Sequence, residues 1–202
     1  MLNKFNFLFL LLILFNLFFL DSFADNEFSF DVTEVEILED GNKVIGKNRG
    51  TITSDSGVII SSDNFEYDKL KNIIIATGNV IIKDNPNDVI LFSEKVIYKK
   101  NLENFFSEGK TTSKIYSRYD LVSEDLNYNS QTKIINSEKN TSLDDTKNKI
   151  FYEASRFNFQ IDTEILKGEK VFINTDYDLP SSDKYYFKSG IFNLFDRSFL
   201  SK

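Results

Sequence analysis

A short unit recurs along this chain every 30 or 31 residues, and self-similarity at that period restricts the fold to stacked copies of one supersecondary unit. The clearest copy runs Ser62-Asp63-Asn64-Phe65-Glu66-Tyr67-Asp68, then a turn at Lys69-Leu70-Lys71-Asn72, then Ile73 to Ile82. Ser93 to Tyr98 and Ser123 to Tyr128 repeat it closely, Ala154 to Phe159 more loosely, and Val35-Glu36-Ile37 is a worn first copy. The anchors are therefore Ile37, Tyr67, Tyr98, Tyr128 and Phe159, at separations of 30, 31, 30 and 31.

Ile59, Phe65 and Tyr67 fall on one face of a first strand, and Ser62, Asn64, Glu66 and Asp68 on the other. That is the period of two of a half-buried strand. Seven residues after each anchor stands an apolar residue (Val44, Ile74, Phe105, Ile135, Leu166), and nine after it a small one (Gly46, Ala76, Ser107, Ser137, Gly168). In an antiparallel hairpin pairing Tyr67 with Ile74, the next pair on that face is Phe65 with Ala76, so a bulky side chain meets a small one. If the two strands instead face each other across two sheets, the same residues line the gap between the sheets. Parity predicts that Phe65, Tyr67, Ile74, Val96, Tyr98, Leu126, Tyr128, Phe157 and Phe159 point inward, with Glu66, Ile97, Asn127 and Asn158 outward.

The start of the chain is a different material. Lys4 precedes an apolar run from Phe5 to Leu20, and Ser22-Phe23-Ala24 supplies small residues at the two positions a signal peptidase reads. Residues 1–24 are read as a signal peptide cleaved after Ala24, since an apolar run of about 16 residues is shorter than the roughly 20 that span a bilayer. An uncleaved membrane anchor is the rival reading. Residues 25–202 are then one exported domain. The net charge of −7 argues against binding nucleic acid through its phosphates. With no cysteine, stability has to come from buried sheet rather than disulfides.

The absence of histidine, cysteine and tryptophan removes the nucleophilic triads and dyads and the usual zinc ligands. Asp63, Glu94 and Glu124 share one repeat position. A carboxylate repeated from unit to unit reads as framework, because a glycosidase needs its carboxyl pair only once. The acidic stretch Lys83 to Asp88 lacks the spacing of a helix-flanked calcium loop and reads as a turn. Asn140-Thr141-Ser142 matches a glycosylation acceptor and is taken as chance. No cofactor or metal is expected. Asn174 to Asp183, with Pro180, has the composition of a true loop. Beyond it, Ser189 to Leu194 reads as a sixth copy whose small residue would fall at position 203, so the chain reads as ending inside its last unit.

The small-acid-x-apolar-x-Tyr-Asp unit, followed by Asn72-Ile73-Ile74-Ile75-Ala76-Thr77-Gly78-Asn79-Val80, resembles the recurring strand pair of the OstA-like periplasmic domains of the bacterial lipopolysaccharide transport machinery. The resemblance runs from Phe30 to Leu200 and is sharpest from Ile59 to Ile82. It implies an all-β fold, an open twisted β-jellyroll of stacked antiparallel strands built from about six such repeats, whose apolar interior holds lipid A acyl chains. The partners it implies are lipopolysaccharide, another OstA-like periplasmic domain joined edge to edge, and the outer-membrane assembly machinery. A signal peptide leading into Phe28-Ser29-Phe30-Asp31-Val32-Thr33 is most similar to the N-terminal domains of LptD-type assembly proteins, with free-standing LptA-type bridge proteins as the sibling reading. The cysteines and the large barrel of the LptD type are absent from this sequence.

Under this resemblance the lipid groove is lined by Phe65, Tyr67, Ile74, Ala76, Val96, Tyr98, Phe105, Ser107, Leu126, Tyr128, Ile135, Phe157, Phe159 and Leu166. The small residues leave room beside the aromatics. In a second reading, aromatics from one wall fill that room, as in an ordinary sandwich. The first strand, Phe30 to Leu38, carries no proline and modest charge, so its edge, through Val32, Val35 and Ile37, is the expected place for a partner to add by β-augmentation. Two other classes stay open: a structural repeat that only mediates protein contacts, and a carbohydrate-active enzyme on a β scaffold. A lipid retained through purification separates the first reading from the repeat, and a hydrolase screen tests the enzyme.

Overall fold

The structure is a computed structural model and describes residues 28–201. The expected signal peptide and its Ala24 cleavage point lie outside the described residues. Among the described residues there are seventeen strands: β1 (Phe28–Leu38), β2 (Lys43–Ser54), β3 (Val58–Ser62), β4 (Asn64–Asp68), β5 (Ile73–Asp84), β6 (Val89–Lys99), β7 (Asn104–Glu108), β8 (Lys110–Ile115), β9 (Tyr119–Glu124), β10 (Asn127–Asn129), β11 (Ile134–Ser137), β12 (Thr141–Asp145), β13 (Ile150–Ala154), β14 (Arg156–Gln160), β15 (Ile165–Thr175), β16 (Asp183–Asn193) and β17 (Ser198–Ser201).

All pairings are antiparallel, and they form two walls joined along a corner. The first wall has the order β1-β2-β4-β5-β6-β7-β10-β11-β14-β15-β16-β17. The second runs β1-β2-β3-β5-β6-β8-β9-β12-β13-β15-β16. The long strands serve both. In β5, Ile73–Thr77 pairs with β4 and Ile81–Asp84 with β3, and the register shifts between Thr77 and Val80. Gly78 makes that corner with φ +78°, and a Cβ there would sit 2.7 Å from an Asp63 carboxylate oxygen. A residue with a side chain is therefore excluded twice over, by the left-handed backbone and by the close approach of Asp63. Elsewhere the corner falls between two short strands. Asp63, Gly78, Glu94, Gly109 and Asp125 are 15 or 16 residues apart, so each repeat crosses between the walls twice. The result is the all-β jellyroll that the resemblance implied.

Two expectations change. The stretch Ile59 to Asp68 is two strands, not one: the chain bends at Asp63 and the inward parity inverts there. Val58, Ile60 and Ser62 face in on one side of the bend and Phe65 and Tyr67 on the other, while Ile59, expected inward, faces out and is only half-buried. The sixth anchor is Phe192 rather than Leu194, because Phe192 pairs with Leu166 on one side and Phe199 on the other. The small residue nine positions on is then Ser201, which pairs with Gly190; the loop after β15 absorbs fewer extra residues than the sequence spacing implied.

Candidate functional site

In the first wall, cross-strand pairing aligns Ile37, Val44, Tyr67, Ile74, Tyr98, Phe105, Tyr128, Ile135, Phe159, Leu166, Phe192 and Phe199 into one row running from the first strand to the last. These are the anchors and the residues seven positions after them. The neighbouring row holds Phe65 opposite Ala76, Ala76 opposite Val96 and Val96 opposite Ser107, and further on Ser137 opposite Phe157 and Phe157 opposite Gly168. All fourteen residues assigned to the groove are inward and buried, none more than 7% exposed. Glu66, Ile97, Asn127 and Asn158 alternate with them and are half-buried on the outer face.

The room beside the small residues is occupied by neighbours. The Tyr98 and Phe105 rings stack in parallel at 4.1 Å, Phe105 lies 5.8 Å from Tyr128, and Phe28 of β1 reaches across to meet Tyr67 edge-on at 5.0 Å and Tyr98 at 6.1 Å. Ser107 donates its hydroxyl to the Leu126 carbonyl and accepts from the Leu126 N–H and the Thr111 hydroxyl. A Cβ on Gly168 would lie 2.9 Å from that of Ala154. The small residues let the two walls approach closely.

The second wall went unassigned in the sequence. Its inward row pairs Ile52 with Ile60, Ile60 with Ile82, Ile82 with Leu91, Leu121 with Leu143, Leu143 with Tyr152 and Tyr152 with Ile173. The available signal was the alternation Val80-Ile82 and Val89-Leu91 between anchors. One hairpin per unit accounts for only the first wall, whereas each unit makes a pair of half-strands in each wall.

Opposite the corner the walls meet along a seam made of side chains. Five ties cross it. Lys100 bonds Asp55 at 2.6 Å and also Glu103. Asn87 donates to the Ser130 carbonyl at 3.0 Å, and Tyr128 to Asp84 at 2.5 Å. Arg118 holds Asp145 through both carboxylate oxygens, at 3.0 and 2.7 Å, and reaches across to Glu164 at 2.8 Å, which also accepts from the Tyr119 hydroxyl at 2.7 Å. Arg197 donates to Asn148 at 2.7 Å.

Burial, and then the carboxylates that accept their protons, push the Tyr98, Tyr119 and Tyr128 hydroxyls far up. Burial would lower Lys100, but the Asp55 and Glu103 carboxylates outweigh it and the net direction is up. Burial would raise Asp145, yet Arg118 and Asn148 hold it below 3.8.

The two ends differ from the middle. At the first end Val35 and Ile37 pair with Gly46 and Val44 and so face the inner side, but no second wall covers them and they are 52% and 65% exposed. Val32 packs half-buried against the core. The outer edge of β1 has no paired strand among the described residues. At the other end a cavity of about 320 Å³ lies among Ile150, Tyr152, Ile173, Phe187, Phe192 and Phe199, with Arg197 at its rim. Burial there pushes the Tyr152 hydroxyl up to about 12.

The repeated acids sit at the corner. Asp63 accepts from Arg49 at 3.0 Å and Asn79 at 2.7 Å. Asp125, next to Glu124, accepts the Gly109 N–H at 2.9 Å. Among the described residues no group of acids could hold a metal ion, and no helix is long and apolar enough to cross a membrane.

A sequence profile of the family described as LptA/(LptD N-terminal domain) LPS transport protein matches residues 59–177, more than half of the chain. The chain belongs to this family. The matched span begins in β3 and ends just after β15, and the inward row of this LptA/LptD-type domain continues beyond it into β1, β2, β16 and β17. Among solved structures it is similar to LptH of Pseudomonas aeruginosa, described as the LptA-homologous periplasmic component of the conserved lipopolysaccharide transport device. The two are 12% identical with a TM-score of 0.47, over 55% of this chain and 80% of that one. No curated protein matches the chain. The LptA/LptD N-terminal family is a transport family, not one defined by an enzymatic reaction.

Proposed function

We propose that this domain works in the periplasm, takes lipopolysaccharide by its acyl chains between the two walls, and passes it toward the outer membrane through a junction with a second domain of the same fold. The observation that carries this reading is the unbroken inward row from Ile37 to Phe199. At about 4.8 Å per strand twelve strands extend roughly 50 Å. An acyl chain spans about half of the roughly 30 Å bilayer core. A row some three chains long is better suited to a path than to a pocket. Each methylene kept from water along it is worth about 0.8 kcal/mol, which is the cost a carrier across an aqueous compartment has to remove.

The junction fits β1, whose outer edge, unpaired among the described residues, can accept a partner's main-chain bonds while Val35 and Ile37 offer an apolar continuation of the row. A photoreactive residue in place of Tyr98 is expected to cross-link to lipopolysaccharide; a folded protein that gives no cross-link there or at Phe159 overturns the lipid reading. Replacing Ala76 with Phe is expected to reduce that cross-linking in protein that still folds, because the added ring takes volume that an acyl chain needs when the walls part. Val35→Pro removes a donor from the edge strand and is expected to abolish association with a partner domain while the later units stay folded. Retained association places the junction elsewhere.

A further inference from the structure

The residues that would hold acyl chains are sealed: Ile74, Tyr98, Phe105, Tyr128, Ile135 and Phe159 are each 1% exposed or less. A lipid reaches them only if some side of the jellyroll parts. The corner cannot, because the backbone itself runs from wall to wall there in β1, β2, β5, β6, β15 and β16. Passage end to end requires a bulky polar head to be drawn between walls already filled with interlocked rings. The seam is different, since no backbone crosses it. Each tie joins hairpin turns 43 to 49 residues apart in sequence, and only side chains need to let go.

The ties are also graded. At the first end Asp55 is 62% exposed, and at the last Arg197 and Asn148 meet in solvent, whereas Asp84, which accepts the Tyr128 hydroxyl across the seam, is 1% exposed. Contacts that water screens hold weakly, so the outer ties open readily. We propose that the seam is a lateral portal, unzipping from its two ends to admit acyl chains sideways while the polar head stays in water. Lys100 and Arg197 are the outer latches and Arg118 is the central one. This inference rests on the lipid reading above.

The chain has no cysteine, so clamps can be placed cleanly. In the full chain Asp55→Cys with Lys100→Cys, and Asn148→Cys with Arg197→Cys, are joined by a short thiol-to-thiol cross-linker, and the control carries the same four cysteines capped singly. Uptake of purified lipopolysaccharide labelled on its sugar is followed by fluorescence anisotropy, with circular dichroism confirming equal folding. The clamped protein is expected to take up lipid several-fold more slowly than the capped one, and the loosened variant Asp55→Ala with Arg197→Ala several-fold faster than the unmodified chain. Equal rates in clamped and capped protein overturn the portal while uptake itself stands. No uptake by any of them, the unmodified chain included, overturns the lipid reading and the portal with it.

Discussion

The corner and the seam run along the same pair of walls, yet the corner is closed by backbone and the seam by side chains. At the corner the strands bend through positive-φ positions such as Gly78 and Asn79, and the corner acids Asp63 and Asp125 hold the bend through Arg49, Asn79 and the Gly109 N–H. At the seam the strands have already turned back, and Lys100, Arg118, Tyr128 and Arg197 reach over from one column of turns to the other. A fold built this way has a rigid spine on one side and a row of separable contacts on the other. How firmly each contact holds depends on how much water reaches it.

The sharpest test of that gradient is its dry centre. Arg118→Ala releases Glu164 across the seam and also leaves Asp145, on the wall of Arg118 itself, buried without its cation; removing one partner of a buried pair costs about 3–5 kcal/mol, equilibrium denaturation should show a loss of that size, and a loss no larger than that of an exposed pair would mean that the centre holds no more firmly than the ends. Next comes the spine. Gly78→Val forces a β-branched residue to φ +78° beside Asp63, a backbone strain of about 1–3 kcal/mol, also read by denaturation.

Acidity separates the seam from the spine. The Asp145 carboxyl is held below its ordinary 3.8 in the folded protein, so the stability it contributes is complete above that value and is lost as pH falls through the folded one. Lys100 is raised above 10.5, so its contribution is complete below that value and is lost as pH rises through the raised one. Thermal unfolding should therefore be flat from above the carboxylate range to about pH 10, beyond which the tyrosines whose folded pKa is raised also lose their contribution, and Asp145→Asn should remove part of the acid-side fall; an unchanged profile would assign the fall to other carboxylates. The smallest effect belongs to the wet end of the seam, where Asp55→Ala should cost no more than about 1 kcal/mol. A larger loss would contradict the gradient.

The period of 30 or 31, the anchors and the pairing of Tyr67 with Ile74 and Phe65 with Ala76 were legible in the sequence, because a hairpin is a local object and its side-chain parity follows directly from strand geometry. The resemblance to the transport family was legible for the same reason, carried by one short recurring unit. The inversion of parity at Asp63, the aliphatic second wall and the register of Phe192 were not. Each depends on where a strand bends out of one wall into the other, and a polar stretch such as Ser62-Asp63-Asn64 does not announce whether it marks a bend or an outward face.

What the tertiary structure alone decided is the seam, and with it whether the interior is open or filled. Sheet twist brings turns 43 to 49 residues apart into register. That offset is close to one and a half repeats at every tie, and it follows from how the two walls sit against each other rather than from any one strand. Nothing in the spacing of Asp55, Lys100, Arg118 or Glu164 along the chain reveals that they meet.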